Sequence, residues 1–320
     1  MNSTKTMTTS AILVALAVVF SLLLYFIPFF QFALFLIGIP IIIIGKVADI
    51  KVQLLAAAVV IIILTFLDPM FALSIGLLVM PLAIAQGYML KIQAKTSYII
   101  GIGALCMVFG FLGFFYGLDF LYQIDFMADL QSMIDLTVDQ MKIAYGSMSL
   151  PADDLQVLYG VLEQMRVVTL ILLPSMLMIY SLVTSAVSYA LSKLILKRLG
   201  YNVKESYFKD FRIDKQGRLI LMVVLGMIIL MTLIDEAGST FYVSNFMSIF
   251  NIILQINALG FIWFLLEKHP NKKMMKIGVV ALYILGPIIP GLIIIRYILS
   301  ILGFADLYVD FRAKINSRSE

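Results

Sequence analysis

Residues 11–30 read AILVALAVVFSLLLYFIPFF, an apolar run without a single charged side chain. About 20 mainly apolar residues are what a helix needs to cross the hydrocarbon core of a bilayer. The run is continuous and lacks the in–out alternation of a barrel strand, so it reads as a membrane helix. Its apolar part is too long for a signal peptide, and bulky Phe26 to Phe30 stand where a small-residue cleavage site would be needed. The segment is therefore expected to be retained.

The same pattern recurs along the chain. Apolar runs predict helices near 8–29, 31–45, 52–67, 71–90, 97–117, 167–192, 219–235, 246–266 and 277–303, the second and third short for full spans. Of all residues 62% are apolar and 13% charged, where soluble domains carry roughly 25% charged residues. So few charges cannot cover a water-facing surface. The fold class is an all-α integral membrane protein, a polytopic helical bundle. The last run is interrupted by GPIIPG at 286–291. Proline removes backbone donors there, so the segment is either one kinked span or a re-entrant pair that returns the tail to its starting side.

Charge sets an orientation. With the N-terminus in the cytoplasm, the inside connectors are Lys5, 46–51, 91–95, 193–218 and 267–276. They hold 17 Lys/Arg against 5 Asp/Glu. The outside connectors hold Lys142 and Arg166 against 11 acids. This is the positive-inside pattern. Because the basic residues follow the membrane side and form no single patch, the net charge of +4 does not point to nucleic acid.

The large outside connector, 118–166, carries Phe120, Ile124, Met127, Ile134, Val138 and Met141 at helical spacing, with Asp125, Asp129, Asp135 and Asp139 mostly between them. This predicts an amphipathic helix. A second helix is expected from near Pro151, capped by Ser149, with Asp153 and Asp154 in its first turn. The pair would rest on the bilayer or act as a lid over an outward pocket.

Small residues four apart let helix backbones approach closely. Ala11 and Ala15, Gly113 and Gly117, Ser181 and Ser185, and the series Thr184, Ser188 and Ser192 have that spacing. Polar groups at membrane depth need partners or a cavity. Gln86, Asn251, Gln255 and Arg296 are candidates for a polar pocket or for interhelical contacts, and Asn257 lies on another side of its helix. Arg296, in LIIIRYIL, has no acid within one turn, and a pair with Asp235 or Glu236 is expected, with binding of an anionic ligand as the alternative.

An enzyme is not expected. His269 is the sole histidine, and no H-E-x-x-H, G-x-S-x-G or G-x-x-x-x-G-K-[ST] motif occurs. Any ATP would have to be bound by a separate subunit. Cys106 is the sole cysteine, so neither a disulfide framework nor a thiolate cluster is expected. No cofactor or metal is implied.

The opening TMTTSAILVALAVVFSLLLYFIP at 6–28 resembles that of substrate-binding (S) components of energy-coupling-factor transporters. In that family an Ala-xxx-Ala pair on the first helix faces a transmembrane coupling subunit, and Ala11 and Ala15 match it. The whole chain looks like the YybS-like family of bacterial membrane proteins, distantly similar to those components. LLPSMLMIYS at 172–181, YFKDFRIDKQGR at 207–218 and GFADLYVDFRAK at 303–314 carry that likeness. The resemblance implies a six-helix S-component-like core over 1–197, with the 118–166 connector outside. A basic cytoplasmic loop over 198–218 and C-terminal membrane helices over 219–320 would follow. It also implies a bacterial plasma-membrane protein that binds a small molecule from outside and works with a coupling subunit and ATPases. S components end after six helices, and this chain continues for about 120 residues more. The alternative is a membrane scaffold or regulatory protein that transports nothing. The aromatic, basic 193–218 loop favours it.

Overall fold

Seven helices among the described residues are long and apolar enough to cross a membrane: Met7–Phe26, Ile50–Leu67, Pro69–Lys91, Thr96–Tyr122, Ala152–Arg198, Lys215–Leu233 and Thr240–Leu266. They are seen in a computed structural model that describes residues 3–27, 33–148, 151–204, 208–234, 239–267, 269–286 and 294–309, with 289, 292, 311, 312 and 315. The chain forms two compact units, Met1–Lys204 and Glu205–Glu320, divided inside the basic loop.

Unit 1 is built around one short apolar helix, Phe35–Val47. Its elements begin with α1 (Ser3–Phe26), α2 (Phe35–Val47) and α3 (Ile50–Leu67). Then come α4 (Pro69–Ser74), a π-helical turn (Ile75–Val79) and α5 (Met80–Lys91). Three longer helices follow, α6 (Thr96–Tyr122), α7 (Phe126–Gly146) and α8 (Ala152–Arg198). At 13 residues, α2 rises about 20 Å, well short of a ~30 Å hydrocarbon core. Residues 37–45 are all buried, because α1, α3, α5 and α8 surround the helix. Lipid tails are as apolar as isoleucine, so this burial is held by packing and not by a hydrophobic drive.

Local chemistry sets the corners. Asp68 accepts hydrogen bonds from the amides of Met70 and Phe71 and starts α4, with Pro69 in the first helical position. Gln123 takes a left-handed backbone (φ +55°) to end α6, and Asp125 caps α7 through the amides of Met127 and Ala128. Pro81 has no amide hydrogen to offer the Leu77 carbonyl four residues back. The preceding turn widens into the π segment. Gly110 of α6 packs onto that carbonyl so closely that a Cβ there would lie 2.1 Å from Leu77 O.

The structure differs from the sequence expectation in α8. The helix expected from near Pro151 and the span expected at 167–192 are one helix of 47 residues, about 70 Å long. Pro174 is accommodated within it, with the Ser175 hydroxyl donating to the Leu172 carbonyl nearby. Ser149, the expected cap, lies outside the described residues. The first half of α8 and α7 form an antiparallel hairpin with Val138 and Leu162 buried between them.

Unit 2 holds α9 (Lys215–Ile234), α10 (Ser239–Leu266), α11 (Lys272–Leu285) and α12 (Ile294–Val309). α10 is the centre, packed by α9, α11, α12 and the short 3-10 turn at Phe208–Asp210. Gly303 of α12 sits against the backbone of α10, where a Cβ would fall 1.9 Å from Leu254 O. The run over 277–303, expected as one kinked span or a re-entrant pair, is divided between α11, which ends at Leu285, and α12, which starts at Ile294. Of GPIIPG, Gly286 and Ile289 are described.

Candidate functional site

The face of α1 that carries Ala11 and Ala15 is exposed at both positions. The side packed into unit 1 is formed instead by Ser10, Ala17, Ser21 and Leu24. Helical geometry separates the two sides by roughly a third of a turn or more. Met7, Ile12 and Val19 share the open side. The result is an apolar strip with two methyl-sized notches, a shape that admits a second helix closely.

Inside unit 1, polar side chains join helices. Gln86 is fully buried, and its Nε2 donates to the Ser185 carbonyl and hydroxyl, both at 2.8 Å. The Ser185 hydroxyl in turn donates to the Ile100 carbonyl at 2.7 Å. One amide thus ties α5 to α8, and one hydroxyl ties α8 to α6. Gly103 leaves the space, since a Cβ there would lie 2.6 Å from Ser185 Oγ. Gln53 of α3 makes the companion clamp. Its Nε2 reaches the carbonyls of Ile41, at 3.2 Å, and of Ala83, at 3.1 Å. It lies in a notch between Gly45 and Gly87, where any Cβ would collide with the amide. The Oε1 atoms of Gln53 and Gln86 and the hydroxyls of Ser188 and Ser192 are buried with no hydrogen-bond partner.

Unit 2 holds the other expected polar residues in two separate groups. Gln255 donates to Ser300 Oγ at 3.2 Å and accepts from the Tyr283 hydroxyl at 3.1 Å. The Arg296 guanidinium lies over the Tyr283 ring, 5.5 Å from its centroid, a cation–π contact worth about 0.5–2 kcal/mol. Gln255 and Arg296 are therefore brought to one tyrosine. Asp235 and Glu236, the expected partners of Arg296, lie outside the described residues. Asn251 turns back on its own helix, donating to the Met247 carbonyl at 2.9 Å.

The second group is built on Asn257, Asp306 and Arg312. Asn257 donates to the Gly303 carbonyl, Arg312 pairs with Asp306 at 3.2 Å, and all three residues are buried. Arg312 also donates to the carbonyls of Lys209, Phe211 and Asn257. It fastens the 3-10 turn and α12 to α10. Gln86 belongs to unit 1.

The α7–α8 hairpin carries most of the acids of the 118–166 connector. Arg166 is gripped by Asp135 at 3.0 Å, Asp139 at 3.1 Å and Glu163 at 3.2 Å, while Lys142 pairs with Glu163. The bond from Lys142 and the charge of Arg166 hold the Glu163 carboxyl below its ordinary range. Beside this network runs an apolar groove of about 300 Å³, lined by Met133, Ile134, Met141, Leu162, Met165 and Thr169 among others.

Sequence reasoning does not single out Gln53, and it names Asp306 and Arg312 only within the tail motif that carries the family likeness. Gln53 follows Lys51 at the start of a helix and reads as a polar end residue. Asp306 and Arg312 lie in the charged tail motif, six residues apart, with nothing local to mark them as buried. Among the described residues no group of three or more His, Cys, Asp or Glu is placed to hold a metal ion. Over residues 15–307 the chain matches the family described as predicted membrane protein (DUF2232), and it belongs to that family. No curated protein and no solved structure matches it.

Proposed function

We propose that this multi-pass membrane protein of the DUF2232 family is a subunit of a bacterial plasma-membrane transport assembly. In this reading Met1–Lys204 is the S-component-like, small-molecule-binding module, with its N-terminus in the cytoplasm. The open face of α1 at Ala11 and Ala15 docks a transmembrane coupling subunit, and ATPases bound to that subunit supply energy. The protein itself is not an enzyme. The observation that carries the reading is the exposure of both alanines on a helix whose other side is fully engaged. The resemblance of the opening sequence to S components, and the strong excess of Lys/Arg in the connectors assigned to the cytoplasm, support it.

The test is affinity purification from native membranes in mild detergent, with mass spectrometry of proteins and small molecules. The wild type should bring down a coupling subunit and ATPases. Ala11→Trp with Ala15→Trp should abolish that recovery at unchanged protein level, because the side chains project away from the bundle. Equal recovery by the variant removes the docking role.

A second reading, a scaffold or regulatory protein without a transported ligand, is favoured by one observation. The amide nitrogens of Gln53, Gln86 and Gln255 all donate to groups on other helices. Recovery of envelope or cytoplasmic proteins with no coupling subunit and no metabolite would select it.

A further inference from the structure

The α7–α8 hairpin is two helices long on apolar surface and one helix short of covering it. Met133, Met141 and Met165 line its groove and are 66%, 40% and 53% exposed. Val161 and Leu136 beside them are exposed as well. Such a surface leaves room for one more helix laid lengthwise, and methionine side chains repack to suit the occupant.

Charge selects the occupant. Residues 125–166 carry seven carboxylates against Lys142 and Arg166. Both cations are spent inside the hairpin, on Glu163, Asp135 and Asp139. Asp129 and Asp154 are unclaimed by these pairs and exposed. Asp129 is one turn from Met133 on α7, and Asp154 is three turns from Met165 on nearly the same face of α8. A second copy of this hairpin would bring the same surplus of negative charge and repel. An anionic lipid surface would repel likewise. We infer that the groove between α7 and α8 docks a cationic amphipathic helix, its apolar stripe on the methionines and its Lys/Arg side chains on Asp129 and Asp154.

The probe is a fluorescent synthetic amphipathic helix of leucine and lysine. Its binding is read by anisotropy to the full-length protein in phosphatidylcholine nanodiscs, with protein-free nanodiscs of the same lipid as baseline. Binding should exceed the baseline by about tenfold and weaken with added salt. A leucine–glutamate helix should not bind. Asp129→Asn with Asp154→Asn should lose about tenfold, since both exposed ion pairs to the bound helix are removed. Both sites are exposed, so the fold is kept. Met133→Ser with Met165→Ser should lose at least as much. Ala11→Trp with Ala15→Trp should leave binding intact, which separates this surface from the docking face of α1. Binding equal to the protein-free baseline, or equal in the Asp→Asn variant, overturns the inference. So does a leucine–lysine signal replaced by self-association of the protein.

Discussion

Gly110 and Pro81 act together at a distance of one helix. The missing amide of Pro81 leaves the Leu77 carbonyl without its usual donor, the π turn swings it outward, and Gly110 supplies the backbone space beside it. Gly110→Ala would push a methyl group to 2.1 Å from Leu77 O, so α6 must move away from the π turn. Overpacking of this kind costs about 1–3 kcal/mol. Gly101→Ala on the same helix meets nothing within 4 Å and should be neutral or stabilising by up to about 1 kcal/mol. Thermal unfolding in detergent should place G110A well below G101A; equal stability would show that α6 is not fixed by this contact. Glu267 is a second residue whose surroundings set its behaviour. Lys276 and Lys272 hydrogen-bond its carboxylate and hold its pKa at about 2, down from 4.5. A lowered folded pKa adds stability above the unfolded value, and that contribution disappears as pH falls from about 4.5 to about 2. Glu267→Gln should flatten the pH dependence of Tm across this window and leave its slope above pH 5 about unchanged. A steep acid-side loss identical in both proteins would assign it to other carboxylates.

At the scale of the element, the sequence speaks about immersion and says little about neighbours. Long charge-free runs mark helices in lipid or protein, and seven helices long enough to span are present, while the run at 277–303 is divided between α11 and α12. The same hydropathy cannot separate a helix facing lipid from α2, which protein covers on every side. Nor could the acids at 153–163 and the apolar run after 167 reveal that they share one rod. Helix propensity alone permits α8 to continue, and the partner that steadies its charged half is α7, brought close by the corner at Gln123 and Asp125. The candidate site divides in the same way. Ala11 and Ala15 were legible because small-residue spacing is a local pattern. Gln86 and Gln255 were legible because an amide amid apolar residues is conspicuous, and their partners Ser185, Ser300 and Tyr283 were not. Those contacts span 99, 45 and 28 residues, beyond any periodicity that a sequence window carries.

At the scale of the whole molecule, each unit is closed by its own buried polar clamp. Unit 1 has the amides of Gln53 and Gln86, neutral groups whose loss in a membrane protein costs on the order of 1 kcal/mol each. Unit 2 has a charged clamp, and the stakes there are higher. Asp306 and Arg312 are 4% and 7% exposed. Removing one partner leaves a buried charge uncompensated, a loss of about 3–5 kcal/mol, whereas replacing both by apolar groups is often close to neutral. Arg312→Met should therefore loosen the 3-10 turn, α10 and α12 together, since Arg312 bonds to Lys209, Phe211, Asn257 and Asp306. Every one of these partners belongs to Glu205–Glu320. Amide hydrogen exchange should then rise about a hundredfold or more across α10 and α12 and stay unchanged across α2 and α5. Asp306→Leu added to Arg312→Met should recover part of the protection, short of wild type because the carbonyls of Lys209 and Phe211 have still lost their donor. If exchange rises in α2 and α5 to the same degree, the two units melt as one and the clamp guards the whole chain.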